Sequence, residues 1–165
     1  MAEQELSNAE ILAHFRASAE KWFALTGSLS QAELDLSIEV DGWSIRQYIH
    51  HIAEDCDVWS MCIKKAIATP GVFVRFEGFP GNDAWAAALD YQNREVESAL
   101  NLIESHRRYL AQLLAHFIDD WDGSVKITNA EGQTVGEMSV GKMVQMLTEH
   151  LLEHVEVIAK IKESH

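Results

Sequence analysis

Apolar residues recur every three or four positions along four long stretches of the chain, and polar runs separate those stretches. The first begins at Ser7, which forms a capping box with Glu10: each side chain satisfies a backbone donor that the opening helical turn leaves free. The spacing predicts a helix from there to about Thr26. Ser30 and Glu33 repeat the device ahead of a short helical turn around Ala32 to Leu36. Ser44 and Gln47 open a long helix to about Ala68, where Pro70 and Gly71 stop it. From Asp83 to about Phe117, the series Val96, Leu100, Ile103, Leu110, Leu114 and Phe117 marks a third long helix, with a break near Tyr91. Ser139 caps the last, which carries Val140, Met143, Leu147, Leu151, Ile158 and Ile161 along one face.

Two connecting regions have their own character. Residues 68–82 mix Gly, Pro and three Phe, a composition that predicts an ordered loop with its aromatic rings turned inward and placed to line a pocket. Between Gly123 and Met138, two β-prone runs flank a Gly-containing turn, which predicts a small hairpin. The expected fold class is therefore all-α: an antiparallel four-helix bundle with a short β-hairpin-like connector before the last helix. No repeat, low-complexity tract or linker divides the chain, so a single domain over residues 1–165 is expected. The interior of such a bundle can hold a metal through side chains of facing helices.

Composition narrows the function classes. The chain has 165 residues, 47% of them apolar, enough for one core. Its formal charge of −13 argues against a nucleic-acid partner, because such binding relies on a basic surface that neutralises phosphates. No apolar run approaches the ~20 residues of a membrane span, and the N-terminal MAEQELSNAE lacks the basic and apolar regions of a signal peptide, so a cytoplasmic protein without membrane partners is expected. Cys56 and Cys62 fall in one helix, too far apart along it to bridge, and read as reduced core thiols.

The histidines carry the candidate chemistry. His150-Leu-Leu-Glu-His154 sets two imidazoles four residues apart on one helix side. At about 100° per residue, both fall within about 60° of Leu147 and so point into the apolar arc. One histidine on such a face is more often a hydrogen-bonded core residue than a ligand. Two in succession, with no local partner in the sequence, face a desolvation cost that a shared metal ion would offset. A tetrahedral site with an open position needs a third ligand from another helix, and the His50-His51 doublet is the candidate. His51 lies on the flank of Tyr48, Asp55 and Val58, whereas His50 falls among Arg46, Gln47, Glu54 and Asp57 and reads as a surface or outer-sphere residue. His14, His106, His116 and His165 read as structural. The run from His150 to His154 also fits H-x-x-E-H, with Glu153 as a base, but only eleven residues follow His154, too few for the larger domain and downstream ligand of that peptidase type.

DGWSIRQYIHHIAE, followed late in the chain by MLTEHLLEHVEVIAKI, resembles the DinB-like superfamily, and more narrowly its thiol S-transferase branch. GNDAW and ESHRRYLAQLL are similar to intervening segments of that branch. The superfamily pairs a Trp-Ser/Thr-x-Arg-x-x-x-His-His signature with a late His-x3-His on a four-helix bundle. Carried over, the resemblance implies a metal held by His51, His150 and His154. Two features depart from the branch: Glu54 stands where it usually shows Asp, and the late segment lacks the aromatic-His-x-x-His-His form. Three imidazoles suit nickel, zinc and other divalent ions, with nickel or zinc expected, and the resemblance implies transfer of a small-molecule thiol such as bacillithiol, mycothiol or glutathione to an electrophile. A homodimer is also expected. Hydrolysis by an activated water follows from the same ion, and the alternative class is a non-catalytic metal-binding or dimerisation module. No residue is assigned a catalytic role beyond metal binding.

Overall fold

A computed structural model describes residues 6–40 and 42–165. Its long helices are α1 (Asn8–Thr26), α3 (Ile45–Ala68), α5 (Glu97–His116) and α6 (Val140–Glu163), with short helices α2 (Gln31–Leu34) and α4 (Asn82–Ala88). The three capping boxes form as expected, at Ser7/Glu10, Ser30/Glu33 and Ser44/Gln47. Ser139 caps α6 by accepting from the Lys142 backbone N–H. The break near Tyr91 is a 3-10 turn over Tyr91–Asn93, entered through Asp90 in the left-handed region (φ 52°).

Two buried clusters give the directions of the helices. One joins Ile11 and Phe15 early in α1, Ile63 and Ala66 late in α3, Leu110 and Leu114 late in α5, and Val140 and Met143 at the start of α6. The other joins Trp22, Ile45, Ile49, Val96, Ile103, Leu151 and Ile158, from the opposite end of each helix. Helices α1 and α6 therefore run one way and α3 and α5 the other, which makes the bundle two parallel pairs set antiparallel to each other. Around it the order is α1, α6, α3, α5. Since α3 and α5 share a direction, the chain between them must travel back along the whole bundle, and residues 69–96 do so.

That return segment is where the sequence expectation needs correcting. It is not a loop throughout: Phe73–Arg75 forms strand β1, which pairs parallel with β2 (Ser124–Thr128), and β2 pairs antiparallel with β3 (Thr134–Ser139). The expected hairpin thus becomes the larger part of a three-stranded sheet of order β1-β2-β3. Nor are the three aromatics all turned inward, for Phe73 and Phe79 are exposed and only Phe76 packs on the core. The physical reason is strand alternation: with Val74 buried, its neighbours Phe73 and Arg75 must face outward. The sheet closes the end of the bundle against α3. Gly123 enters β2 so close to the helix that a Cβ there would lie 2.3 Å from the Ala66 carbonyl oxygen. Among the described residues no helix is long and apolar enough to cross a membrane.

Candidate metal centre

Helices α3 and α6 are antiparallel neighbours, so the second turn of α3 faces the middle of α6. This brings His51 against His150 and His154. Their Nε2 atoms face one another: His51 to His150 is 3.1 Å and His154 to His150 is 3.2 Å. One donor atom from each ring lies within 4.8 Å of the other two. The rings stand nearly perpendicular, at 77°, 83° and 88° pairwise, so the three nitrogens converge while the ring bodies pack edge to face. Trp43 abuts the His51 ring at 5.3 Å and Tyr48 the His154 ring at 5.1 Å, fixing both orientations from outside.

This donor set fits a divalent cation. Burial pushes the pKa values of His51 and His154 down, the latter to about 3 with further repulsion from His150 and His51, so both rings are neutral at neutral pH. Neutral imidazoles whose Nε2 atoms face one another share too few protons to satisfy every lone pair, and His154 Nδ1 is buried without a partner. Three nitrogens at about 2.0–2.1 Å from one tetrahedral ion would stand about 3.4 Å apart, close to the separations seen. A small adjustment of side chains is enough to admit one.

Other expectations meet the structure differently. His50 is not a surface residue: it is 2% exposed, with Nε2 3.3 Å from the Arg94 carbonyl oxygen and its ring 5.4 Å from Tyr91. The 3-10 turn folds over that side of α3 and buries it away from the cluster, and the desolvation lowers its pKa. His106 is structural, with Nδ1 3.2 Å from the Cys56 carbonyl oxygen and Nε2 3.1 Å from Asp57. Glu153 is exposed. Cys56 and Cys62 are free, buried thiols, with the Cys62 pKa pushed up by burial to about 11.

The residues missed by sequence reasoning are Asp55, Trp43 and Tyr48. Asp55 Oδ2 is 2.8 Å from His150 Nε2 and 3.6 Å from His51 Nε2. The signal was present, since Asp55 follows His51 by one helical turn. Beyond Trp43, whose indole N–H donates to Asp83 at 3.0 Å, opens a polar cleft of about 510 Å³ lined by Ser37, Trp43, Gln47, Asp83 and Gln92 among others. The cleft therefore borders α4 and the 3-10 turn, and not the 68–82 segment expected to line a pocket. A groove of about 570 Å³ between α1 and α5 is larger; none of the three histidines lines either space, but Trp43, which abuts the His51 ring, lines the cleft.

The model of the DinB superfamily matches residues 14–158. A protein of Oceanobacillus iheyensis, named as a candidate metal-dependent hydrolase, is 29% identical over 140 residues, covering 82% of this chain and 76% of its own. Among solved structures, YfiT from Bacillus subtilis, described as a "probable metal-dependent hydrolase with an unusual four-helix bundle topology", matches with a TM-score of 0.81 at 14% identity over 99% of this chain and 92% of that one. A mycothiol-dependent maleylpyruvate isomerase matches with a TM-score of 0.69 at 17% identity, over 93% of this chain and 61% of its own. Both structural likenesses are likenesses of fold.

Proposed function

The chain belongs to the DinB superfamily, and from that premise we propose that it is a metal-dependent enzyme whose His51, His150 and His154 hold one divalent ion, nickel or zinc, and whose reaction is transfer of a small-molecule thiol or hydrolysis. The observation that carries this reading is the convergence of three imidazole Nε2 atoms from two helices at 3.1 and 3.2 Å. A bound ion supplies Lewis acidity that lowers the pKa of a water or thiol beside it, giving a nucleophile at neutral pH.

The remaining work falls to the chain itself. Trp43 and Tyr48 hold two of the imidazoles in place and keep water from their outer faces. Gln47, Asp83 and Gln92 line the cleft next to Trp43 and offer hydrogen-bonding groups to the polar part of a substrate. No protein thiol is available as the nucleophile, because Cys56 and Cys62 are buried and burial raises both of their pKa values. In this reading the nucleophile is an incoming small molecule. The hydrolase name of the Oceanobacillus iheyensis relative supports water in that role, and the mycothiol dependence named for the structural neighbour supports a thiol.

Metal analysis of the purified protein, with an assay of the loaded protein against a panel of thiols, electrophiles and hydrolysable esters and amides, tests the proposal. The expected result is about one divalent ion per chain, lost in His51→Ala, His150→Ala and His154→Ala and kept in His50→Ala, with turnover only in the loaded protein. Full metal retention in the three ligand variants would sink the site. A loaded protein inert across the panel would favour the non-catalytic metal-binding module.

A further inference from the structure

The carboxylate beside the imidazoles has a more specific part to play. Asp55 lies one turn after His51 on α3, so its side chain leaves the helix on the same side. Its Oδ2 stands 2.8 Å from His150 Nε2 and 3.6 Å from His51 Nε2, the same two nitrogens that meet at 3.1 Å. The side chain is 24% exposed, so it is only partly open to water. Its acidic neighbours are occupied elsewhere or face away: Asp57 reaches His106 at 3.1 Å, and Glu54 lies toward Arg94.

Two atoms on one ion, each at about 2.0–2.2 Å, stand about 3–3.4 Å apart at right or tetrahedral angles. Asp55 Oδ2 is already near that spacing from two of the three nitrogens. A partly buried carboxylate at that spacing is better compensated by a cation than by the edge of an imidazole ring.

We propose that Asp55 is a direct oxygen ligand of the ion, so that the protein presents three nitrogens and one carboxylate. This rests on the reading that His51, His150 and His154 hold a metal. Neutral imidazoles alone would leave the ion its full double charge, and one carboxylate halves it. The added oxygen also favours ions that accept more than four ligands, because a position for substrate must remain open.

Cobalt(II) is the probe, since its visible absorption reports coordination number and donor type. Affinity would be measured by competition with a chelator, and spectra recorded, for the wild-type protein, Asp55→Ala, Asp55→Asn and the control Glu54→Gln, with thermal melts of the metal-free forms to verify folding. The expected result is a loss of affinity on the order of tenfold or more in Asp55→Ala, with changed band positions and intensity. Asp55→Asn keeps an oxygen without its charge and should fall between, whereas Glu54→Gln should match wild type. Unchanged affinity in both Asp55 variants overturns the proposal. So does weaker affinity with an unaltered spectrum, which would make Asp55 an acceptor outside the ligand sphere. Failure of the wild type to bind cobalt, or retention of it by His51→Ala, would instead defeat the three-histidine reading itself.

Discussion

At the sheet end of the bundle Phe15, Ile63, Leu114, Val125 and Met143 meet with no solvent contact. At the opposite end Trp22, Ile45, Ile49 and Ile158 are packed as tightly, yet Arg46, His50 and His51 are buried beside them. The helices supplying the two ends are the same four. What differs is how each end treats polar groups. Arg46 donates to Asp35 at 2.9 Å, to the Arg94 carbonyl at 3.1 Å and to Gln31 at 3.1 Å, and His50 meets the Arg94 carbonyl. These contacts offset their desolvation and tie α2 and the 3-10 turn to α3. His51, His150 and His154 are met by one another and by Asp55. Burial of polar groups with complete partners holds the fold together, but Trp22 Nε1 and Arg107 Nε are buried without partners as well, so what marks the place for a ligand is the convergence of three imidazole nitrogens on one point.

Three measurements would break or sharpen this contrast. The largest expected effect is from Phe15→Ala at the sheet end, which should lower unfolding stability by about 3–5 kcal/mol in metal-free and metal-loaded protein alike, with metal content per folded chain unchanged. Chemical denaturation alongside metal analysis reads both quantities, and a drop in metal content would show that the two ends are not separable. Such coupling has a route, because Arg107 passes between them: its guanidinium lies 4.4 Å over the Phe15 ring and donates at 2.8 Å to the carbonyl of Leu147, one turn ahead of His150.

Next in size, Arg46→Met should cost about 2–3 kcal/mol, since it strips charged hydrogen bonds from Asp35, Gln31 and the Arg94 carbonyl. Hydrogen exchange should rise in α2 and the 3-10 turn and stay unchanged in the sheet. Equal exchange throughout would mean that Arg46 does not pin those elements.

The smallest effect concerns pH. Hydrogen bonds from the Ser30 backbone and hydroxyl, helped by Lys162 at 3.2 Å, pull the Glu33 pKa down to about 2. Because the folded value is depressed, its stabilisation is present above the unfolded value near 4.5 and is lost as pH falls toward about 2. Glu33→Gln keeps the geometry of the capping box but removes the charge. Its acid-unfolding curve should therefore be shallower than that of the wild type in that window and alike above it. Parallel curves would show that the cap contributes nothing through ionisation.

Much of this was legible before any coordinates. The capping boxes at Ser7, Ser30 and Ser44 are local contacts over three residues, and the helix starts followed from them. The His150/His154 pair was legible for the same reason, being set by the pitch of one helix. The wheel of α3 placed His51 inward correctly, because that orientation depends on its own periodicity. It misplaced His50, whose burial is imposed by Tyr91 and Arg94 from a distant turn. It did not single out Asp55, since an acid on a helix flank is ordinary until two imidazoles from another helix arrive beside it. The Phe73–Arg75 strand was missed because three residues hold too little pattern, and its partner lies far along the chain.

By itself, then, the sequence determined the long helices, their caps and the apolar face of each, because these depend on interactions within a few residues of one helix. The tertiary structure decided the direction of α5 relative to α3, the third strand of the sheet, the burial of His50 and the approach of Asp55 to His150. Each of those rests on the meeting of segments remote in the chain, where neither periodicity nor propensity carries information about the partner.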